Sequence, residues 1–202
     1  MHSATVGGVA RVAAPPMINT LSDEDLMQAW QGGDAGAFET LYGRYRASLY
    51  RFLVRQAGGE AAGEELYQDV WMTLLRQRER WQPTATLKTY LYRIAHSRIV
   101  DHYRAQGRQR GFLAVAVEAD EIADTCEASR ADTAWTRNAT AEAVLRCLDA
   151  LPPEQREAFL LKEESGLGLG EIAEVTGAPA ESVKSRVRYA IVRLRRCLEG
   201  WL

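Results

Sequence analysis

Beyond Leu21, apolar residues recur at the three-to-four spacing of a helix face, which predicts an all-α protein. Ser22 to Gln31 is a short helix, with Ser22 as N-cap, Asp25 three residues later and acids in the first turn. Gly32 and Gly33 stop it. Asp34 then caps a longer helix whose stripe is Phe38, Leu41, Tyr42, Tyr45, Leu49 and Phe52, ended by Gly58 and Gly59. A third helix is expected from about Glu64 to Arg80, with Leu66, Val70, Trp71 and Leu74 facing inward. Pro83 makes Trp81 to Ala85 a break. The fourth helix, about Leu87 to Gln106, buries Leu87, Leu91, Ile94 and Ala95. Its other faces carry Lys88, Arg93, His96, Arg98, His102 and Arg104. Four helices with short links form one compact unit.

The periodicity then fades and resumes near Asn138, where a helix runs to Ala150. Leu151-Pro152-Pro153-Glu154 breaks the chain and starts another, with proline tolerated in its first turn. Phe159, Leu160 and Leu161 form its buried side, and Gly166 to Gly170 is a loop. Gly170 to Arg196, GEIAEVTGAPAESVKSRVRYAIVRLRR, follows as two helices about a tight turn. Ile172, Ala173 and Val175 give the first an apolar side, and Gly177 turns the chain at φ > 0. Val183, Val187, Ile191 and Leu194 mark the second as one buried stripe, ringed by Lys184, Arg186, Arg188, Arg193, Arg195 and Arg196. Ala173, Gly177 and Val183 fall at helix-turn-helix spacing, and such a unit lays its second helix in the major groove.

The expected layout is therefore two small helical domains, the second with a helix-turn-helix. Residues 1–20 are a disordered tail, 21–107 the first domain, 108–137 a flexible acidic linker and 138–202 the second domain. Met17 is a second candidate start. No repeat at solenoid periods is visible.

Charge changes the picture more than composition does. The formal net charge of −2 over 202 residues conceals segregation. Arg76 to Arg110 holds nine basic residues against two acids, whereas Gly111 to Glu142 holds two against seven. A nucleic-acid surface beside an acidic connector fits that split. Cys126, Cys147 and Cys197 are widely spaced, with no CxxC or histidine pair, so no metal site is expected. An odd count with no secretion signal fits a reducing cytoplasm. Cys147 and Cys197 follow apolar helical spacing and read as small core residues. No apolar run is long enough to span a membrane.

A family resemblance rests on AFETLYGRYRASLYRFL, EELYQDVWMTLL and RWQPTATLKTYLYRIAHSRIVDHYR in the first domain, and on ALPPEQREAFLLKEESGLGLGEIAEVTGAPAESVKSRVRYAIVRLRRCL in the second. Their order and spacing resemble the extracytoplasmic-function sigma factors of the sigma-70 superfamily. That resemblance implies a first domain for core RNA polymerase and the −10 promoter element, and a second for the −35 element. On the motifs, Glu65, Leu66, Gln68, Asp69, Val70 and Met72 match the polymerase-binding helix. Trp81 to Ala85 matches the loop that captures a base flipped from the −10 duplex, a pocket that must enclose the base and hydrogen-bond its edge. Gln82, Thr84 and Thr86 can donate and accept there; Trp81 is either a stacking platform or a plug holding the loop. Lys88, Arg93, Arg98 and Arg104 would neutralise −10 phosphates. Ser97 stands where the family commonly has Asn, which changes base preference there. Asp101 matches and orients a neighbour. In the second domain, Glu181, Ser182, Lys184, Ser185, Arg186 and Arg188 fall at the DNA-facing start of the recognition helix. Lys184, Ser185 and Arg188 are expected near base edges and Arg186 on phosphate. Tyr189 and Ile191 stand where many relatives are basic.

The function implied is a dissociable, cytoplasmic initiation subunit with no catalysis, cofactor or metal. Its partners would be core RNA polymerase, promoter DNA and an anti-sigma factor, without a small-molecule substrate or membrane insertion. A dimeric helix-turn-helix regulator would leave the polymerase helix and the capture loop unexplained. A metal phosphohydrolase would need an acid–histidine cluster, and Asp101-His102 is a DH pair with no second cluster following it.

Overall fold

A computed structural model describes residues 20–105, 107 and 137–201. Among them lie eight α-helices: α1 (Asp23–Gln31), α2 (Ala35–Ala57), α3 (Glu60–Gln77), α4 (Leu87–Ala105), α5 (Arg137–Asp149), α6 (Pro153–Glu163), α7 (Leu169–Thr176) and α8 (Ala180–Glu199). The tail and most of the linker expected at 108–137 lie outside the described residues. Among the described residues, no helix is long and apolar enough to cross a membrane.

Local chemistry sets the boundaries. Ser22 caps α1 by accepting from the Asp25 amide at 3.1 Å, and Asp34 caps α2 by accepting from Gly36 and Ala37. Gly58 and Gly177 end α2 and α7 at φ 76° and 68°, where a side chain would be strained. Helix α3 starts earlier than its sequence pattern suggests, at Glu60. Gly63 lies inside α3, at a point where α2 passes too close for a side chain. A Cβ there would sit 2.5 Å from Cα of Val54. At its other end α3 tightens into a 3-10 turn, Arg78–Arg80, instead of continuing as α-helix.

The first four helices pack around Leu41, Leu49, Phe52, Val70, Leu91 and Ile99, all almost fully buried. The second four pack around Leu148, Leu160, Ile172, Val183 and Leu194. The expected α8 stripe is corrected at one position: Ile191 is 38% exposed, and Ala190 is buried instead. At 100° per residue, a residue seven after Val183 returns to its face, whereas one eight after it overshoots by about 80°. The two cysteines read as ordinary core residues are joined: Cys147 of α5 and Cys197 of α8 form a disulfide across 50 residues of sequence. Closing a loop of that length typically contributes about 2–4 kcal/mol. The buried residues of both units belong to one continuous apolar cluster, so the second unit is seated on the first.

The α2–α3 crossing gives a direct test. Gly63→Ala forces a methyl into the Val54 backbone, and overpacking of this kind costs about 1–3 kcal/mol. Chemical denaturation of the full chain should show a lower midpoint for Gly63→Ala, whereas Gly43→Ala, at an open helical position, should not lower it.

Candidate nucleic-acid interface

Helix α3 divides its residues between core and solvent. Leu66 and Val70, expected at a polymerase contact, are buried at 4% and 0% exposure. They lie four apart on the inward face with Leu74, so neither reaches a partner. Glu65, Gln68, Asp69 and Met72 are exposed on the opposite side. Met72 at 50% and Leu75 at 38% extend that stripe with apolar surface. Leu75 was not singled out in the sequence, although its three-residue step from Met72 is the signal that places it there.

The loop after α3 leaves Gln82, Thr84 and Thr86 exposed and buries Trp81 to 4%. Of the two roles open to Trp81, the plug describes its place: the ring is packed under the loop and offers no face to a base. Thr86 is the N-cap residue of α4, its hydroxyl oxygen accepting from the Thr89 amide at 3.1 Å. Along α4, Arg93, Ser97 and Arg104 are exposed, and Lys88 and Arg98 are half-buried. Arg98 donates to the Thr73 hydroxyl at 3.0 Å, which anchors it toward α3. Asp101 lies 3.7 Å from the Arg104 guanidinium, with both side chains half-exposed. Two further residues approach the loop from α1. Gln31 donates to the carbonyl oxygens of Arg78 and Trp81, and Glu24 accepts from the Leu87 amide. Neither has a sequence signal, because the contacts span 47 to 63 residues.

At the start of α8, Glu181, Lys184 and Arg188 are exposed, with Ser182 and Ser185 half-buried beside them. Lys184 is 3.8 Å from Glu181, and the Arg188 guanidinium lies over the Tyr189 ring. Arg186, expected on phosphate, is instead paired with Glu154 of α6 at 3.4 Å, its side chain three-quarters covered. That face of α8 turns toward its own domain, so Arg186 has a partner before any DNA arrives.

Helix α7 packs on α4 along one edge of the −10 candidates, while Arg93, Ser97 and Arg104 of α4 and Glu181, Lys184 and Arg188 of α8 keep exposed surface. Glu171 accepts from Thr89 at 3.3 Å, and Glu174 lies 4.0 Å from Arg93. With Glu24 and the loop they line an open groove of about 410 Å³. Three carboxylates around that space exclude a phosphate chain. Further along the seam, Arg51 and Arg55 of α2 both pair with Glu164, and buried Arg156 donates to the Tyr103 hydroxyl at 3.0 Å. His96 of α4 meets Glu157 of α6 at 2.7 Å, with Glu157 only 2% exposed. Burial opposes the charge on His96, but the hydrogen bond and negative charge of Glu157 outweigh it, and Arg186 opposes in part. Its pKa therefore stands above the ordinary histidine value. Burial likewise raises the Glu154 carboxyl, against the pull of Arg186.

Residues 41–109 match the family model for sigma-70 region 2, and residues 141–194 match that for sigma-70 region 4. The ECF RNA polymerase sigma factor SigK of Mycolicibacterium vanbaalenii is 32% identical over 203 residues, covering 97% of each chain. The RNA polymerase sigma-H factor of Pseudomonas aeruginosa is 26% identical, covering 92% of this chain and 98% of its own. Among solved structures, CnrH in complex with the cytosolic domain of CnrY has a TM-score of 0.62 at 20% identity, covering 88% of this chain and 97% of its own. The sigma factor RpoE in complex with the anti-sigma factor NepR, from Bartonella quintana, has a TM-score of 0.61 at 23% identity, covering 80% and 96%.

The seam carries a pH dependence whose sign follows from His96. A raised pKa in the folded chain means that the pair's stabilisation is complete below the ordinary value of about 6.5. It is lost as pH rises through the raised value. Thermal unfolding of the full chain should therefore show Tm falling across that window, and His96→Asn should flatten the fall. Parallel curves for the two proteins would remove the His96–Glu157 pair from the energetics of the seam.

Proposed function

The chain belongs to the extracytoplasmic-function branch of the sigma-70 RNA polymerase sigma factors, and we propose that it works as a non-catalytic initiation subunit held shut until polymerase opens it. A sigma factor binds core polymerase and directs it to promoters; the chemistry of RNA synthesis is polymerase's own. On this reading the exposed α3 stripe of Glu65, Gln68, Asp69 and Met72 docks on core. Leu66 and Val70 support it from beneath. The loop residues Gln82, Thr84 and Thr86 receive the unpaired −10 base, while Lys88, Arg93, Ser97, Arg98 and Arg104 follow that strand. Lys184, Ser185 and Arg188 read the −35 element, with Glu181 and Ser182 beside them. The protein acts in the cytoplasm, where polymerase is.

The observation that carries the reading is the meeting of α7 with α4. It sets part of the helix-turn-helix that reads one element against an edge of the helix that reads the other. Both elements of a promoter lie on one duplex, so the two surfaces must separate before they can be engaged together. Core polymerase supplies the separation by binding each domain at its own place. An anti-sigma factor would act in the opposite sense, by holding the free subunit; support for it comes from the anti-sigma factor NepR bound to the Bartonella quintana protein of similar fold. A dimeric operator-binding regulator has no use for the α3 stripe, which is exposed, acidic and partly apolar at once.

Run-off transcription with core polymerase and genomic promoter fragments tests the reading, and initiation at defined start sites only when the chain is present is the expected result. Asp69→Arg should weaken core association by more than about tenfold, since reversing a charge in a docked interface leaves it facing its former partner's like. Its Tm should stay unchanged, because Asp69 is exposed. Tight, specific promoter binding by the free chain, together with wild-type core affinity for Asp69→Arg, would sink the assignment.

A further inference from the structure

We propose that α1 is a brace for the base-capture loop, with Gln31 and Glu24 as positioning residues that hold its two ends at a fixed separation. The proposal rests on the reading of residues 81–86 as the element that receives the unpaired −10 base.

The loop has little to hold it from within. Within it the Trp81 amide donates to the Arg78 carbonyl at 3.3 Å and the Thr84 amide to the Gln82 carbonyl at 2.8 Å. At its entrance the 3-10 turn ends, with the Arg78 carbonyl bonded to the Trp81 amide and the Trp81 carbonyl beyond the turn. The Gln31 side-chain nitrogen donates to both carbonyls, a second bond for Arg78 at 2.6 Å and one for Trp81 at 3.1 Å. At its exit α4 begins and leaves amides without intrahelical partners. Thr86 caps one, and the Glu24 carboxylate accepts from another, Leu87, at 3.0 Å. A carboxylate is also the favoured charge at a helix N-terminus.

Glu24 and Gln31 are seven residues apart on one helix. Seven residues are close to two turns, so the two side chains share a face about 10.5 Å apart along the axis. One rigid element thus bonds both ends of the loop. The element is itself fixed: Leu26, Met27 and Trp30 are buried in the domain. The Arg78 guanidinium lies 5.9 Å from the Trp30 ring, so α1 grips the entrance turn by side chain as well as by backbone. The apolar residues of α1 are enough to seat it, and Gln31 and Glu24 point elsewhere, to the loop. Capture of a base requires a pocket already in shape, since ordering the loop at that moment would subtract from the binding free energy. Phosphate contacts made by α4 and α8 do not depend on the loop. Loss of the brace should therefore slow promoter opening and leave initial promoter binding unchanged.

The test uses the reconstituted holoenzyme and a promoter duplex carrying 2-aminopurine at the captured −10 position, whose fluorescence rises on unstacking. Gln31→Ala and Glu24→Ala should each slow opening about tenfold, with core affinity and initial promoter affinity within about twofold of wild type, the split expected when only pocket shape is lost. Glu24→Gln keeps an acceptor oxygen and should restore most of the rate. Gln31→Glu, of nearly equal size but without the N–H donors, should match Gln31→Ala and serves if the alanine variant does not fold. The loop double variant Gln82→Ala/Thr84→Ala tests the premise separately. Slow opening in that variant with wild-type opening in Gln31→Ala would overturn the brace and spare the capture loop. Unchanged opening in both would overturn the capture-loop reading, and the brace with it. Equal losses in initial binding and opening for Gln31→Ala would reduce α1 to a structural helix and overturn the proposal.

Discussion

A helix that buries Leu87, Leu91, Tyr92, Ala95 and Ile99 in its own domain has only its remaining surface to offer to anything else. In this chain that remaining surface of α4 carries Arg93, His96 and the cap Thr86, and it meets Glu157, Glu171 and Glu174 of the second domain. The cations and hydroxyls suited to a DNA strand are the same groups that suit carboxylates. On the proposed reading, a DNA strand and these carboxylates would compete for one face.

The strength of the seam comes from its buried members. Exposed pairs such as Arg93–Glu174, at 4.0 Å with both side chains half in solvent, contribute between zero and about 1 kcal/mol each. Arg156 and Glu157 are different, because each is more than nine-tenths buried and would be costly to leave unpartnered. Arg156 is met by Asp149, the Tyr103 hydroxyl and the Gln56 carbonyl; Glu157 is met by His96. Opening the seam breaks the links from Arg156 and Glu157 to the first domain but returns those groups to water. The net cost is therefore well below the sum of the bonds broken, and binding of each domain to polymerase can supply it. The charged groups of the seam can be parted and remade in water, whereas the apolar contacts that join the two units resist opening.

Within each domain the elements were legible because their signals are local. Ser22, Asp34, Gly58 and Gly177 cap or end the helices as their types require, and apolar spacing identified most of each buried stripe. Where sequence reading went astray, a distant contact had overridden a local rule. Gly63 is required inside α3 by Val54 in α2, not by its neighbours in sequence. Cys147 and Cys197 fall on apolar positions and so resemble core residues; only the α5–α8 packing brings their sulfurs together. Leu66 and Val70 match a polymerase-binding motif as residue types, but a motif match does not say which face of a helix a residue occupies. Arg186 reads as one more cation on a basic helix until Glu154 is placed beside it.

The same argument explains why α1 looked inert in the sequence. Its pattern is complete as a short capped helix, and the two polar residues that matter, Glu24 and Gln31, are ordinary choices for a helix surface. A glutamate in the first turn is already explained by the helix dipole, and a glutamine in the last turn needs no explanation. Their distinction is a spacing of seven that matches the span between the two ends of a loop fifty and more residues away. Sequence periodicity can show that two residues share a face. It cannot show what that face meets, and function in this fold lies mainly in those meetings. The stripes decide which surfaces remain after the cores are filled. The placement of α1 on the loop, and of α7 on α4, decides what those surfaces can then do.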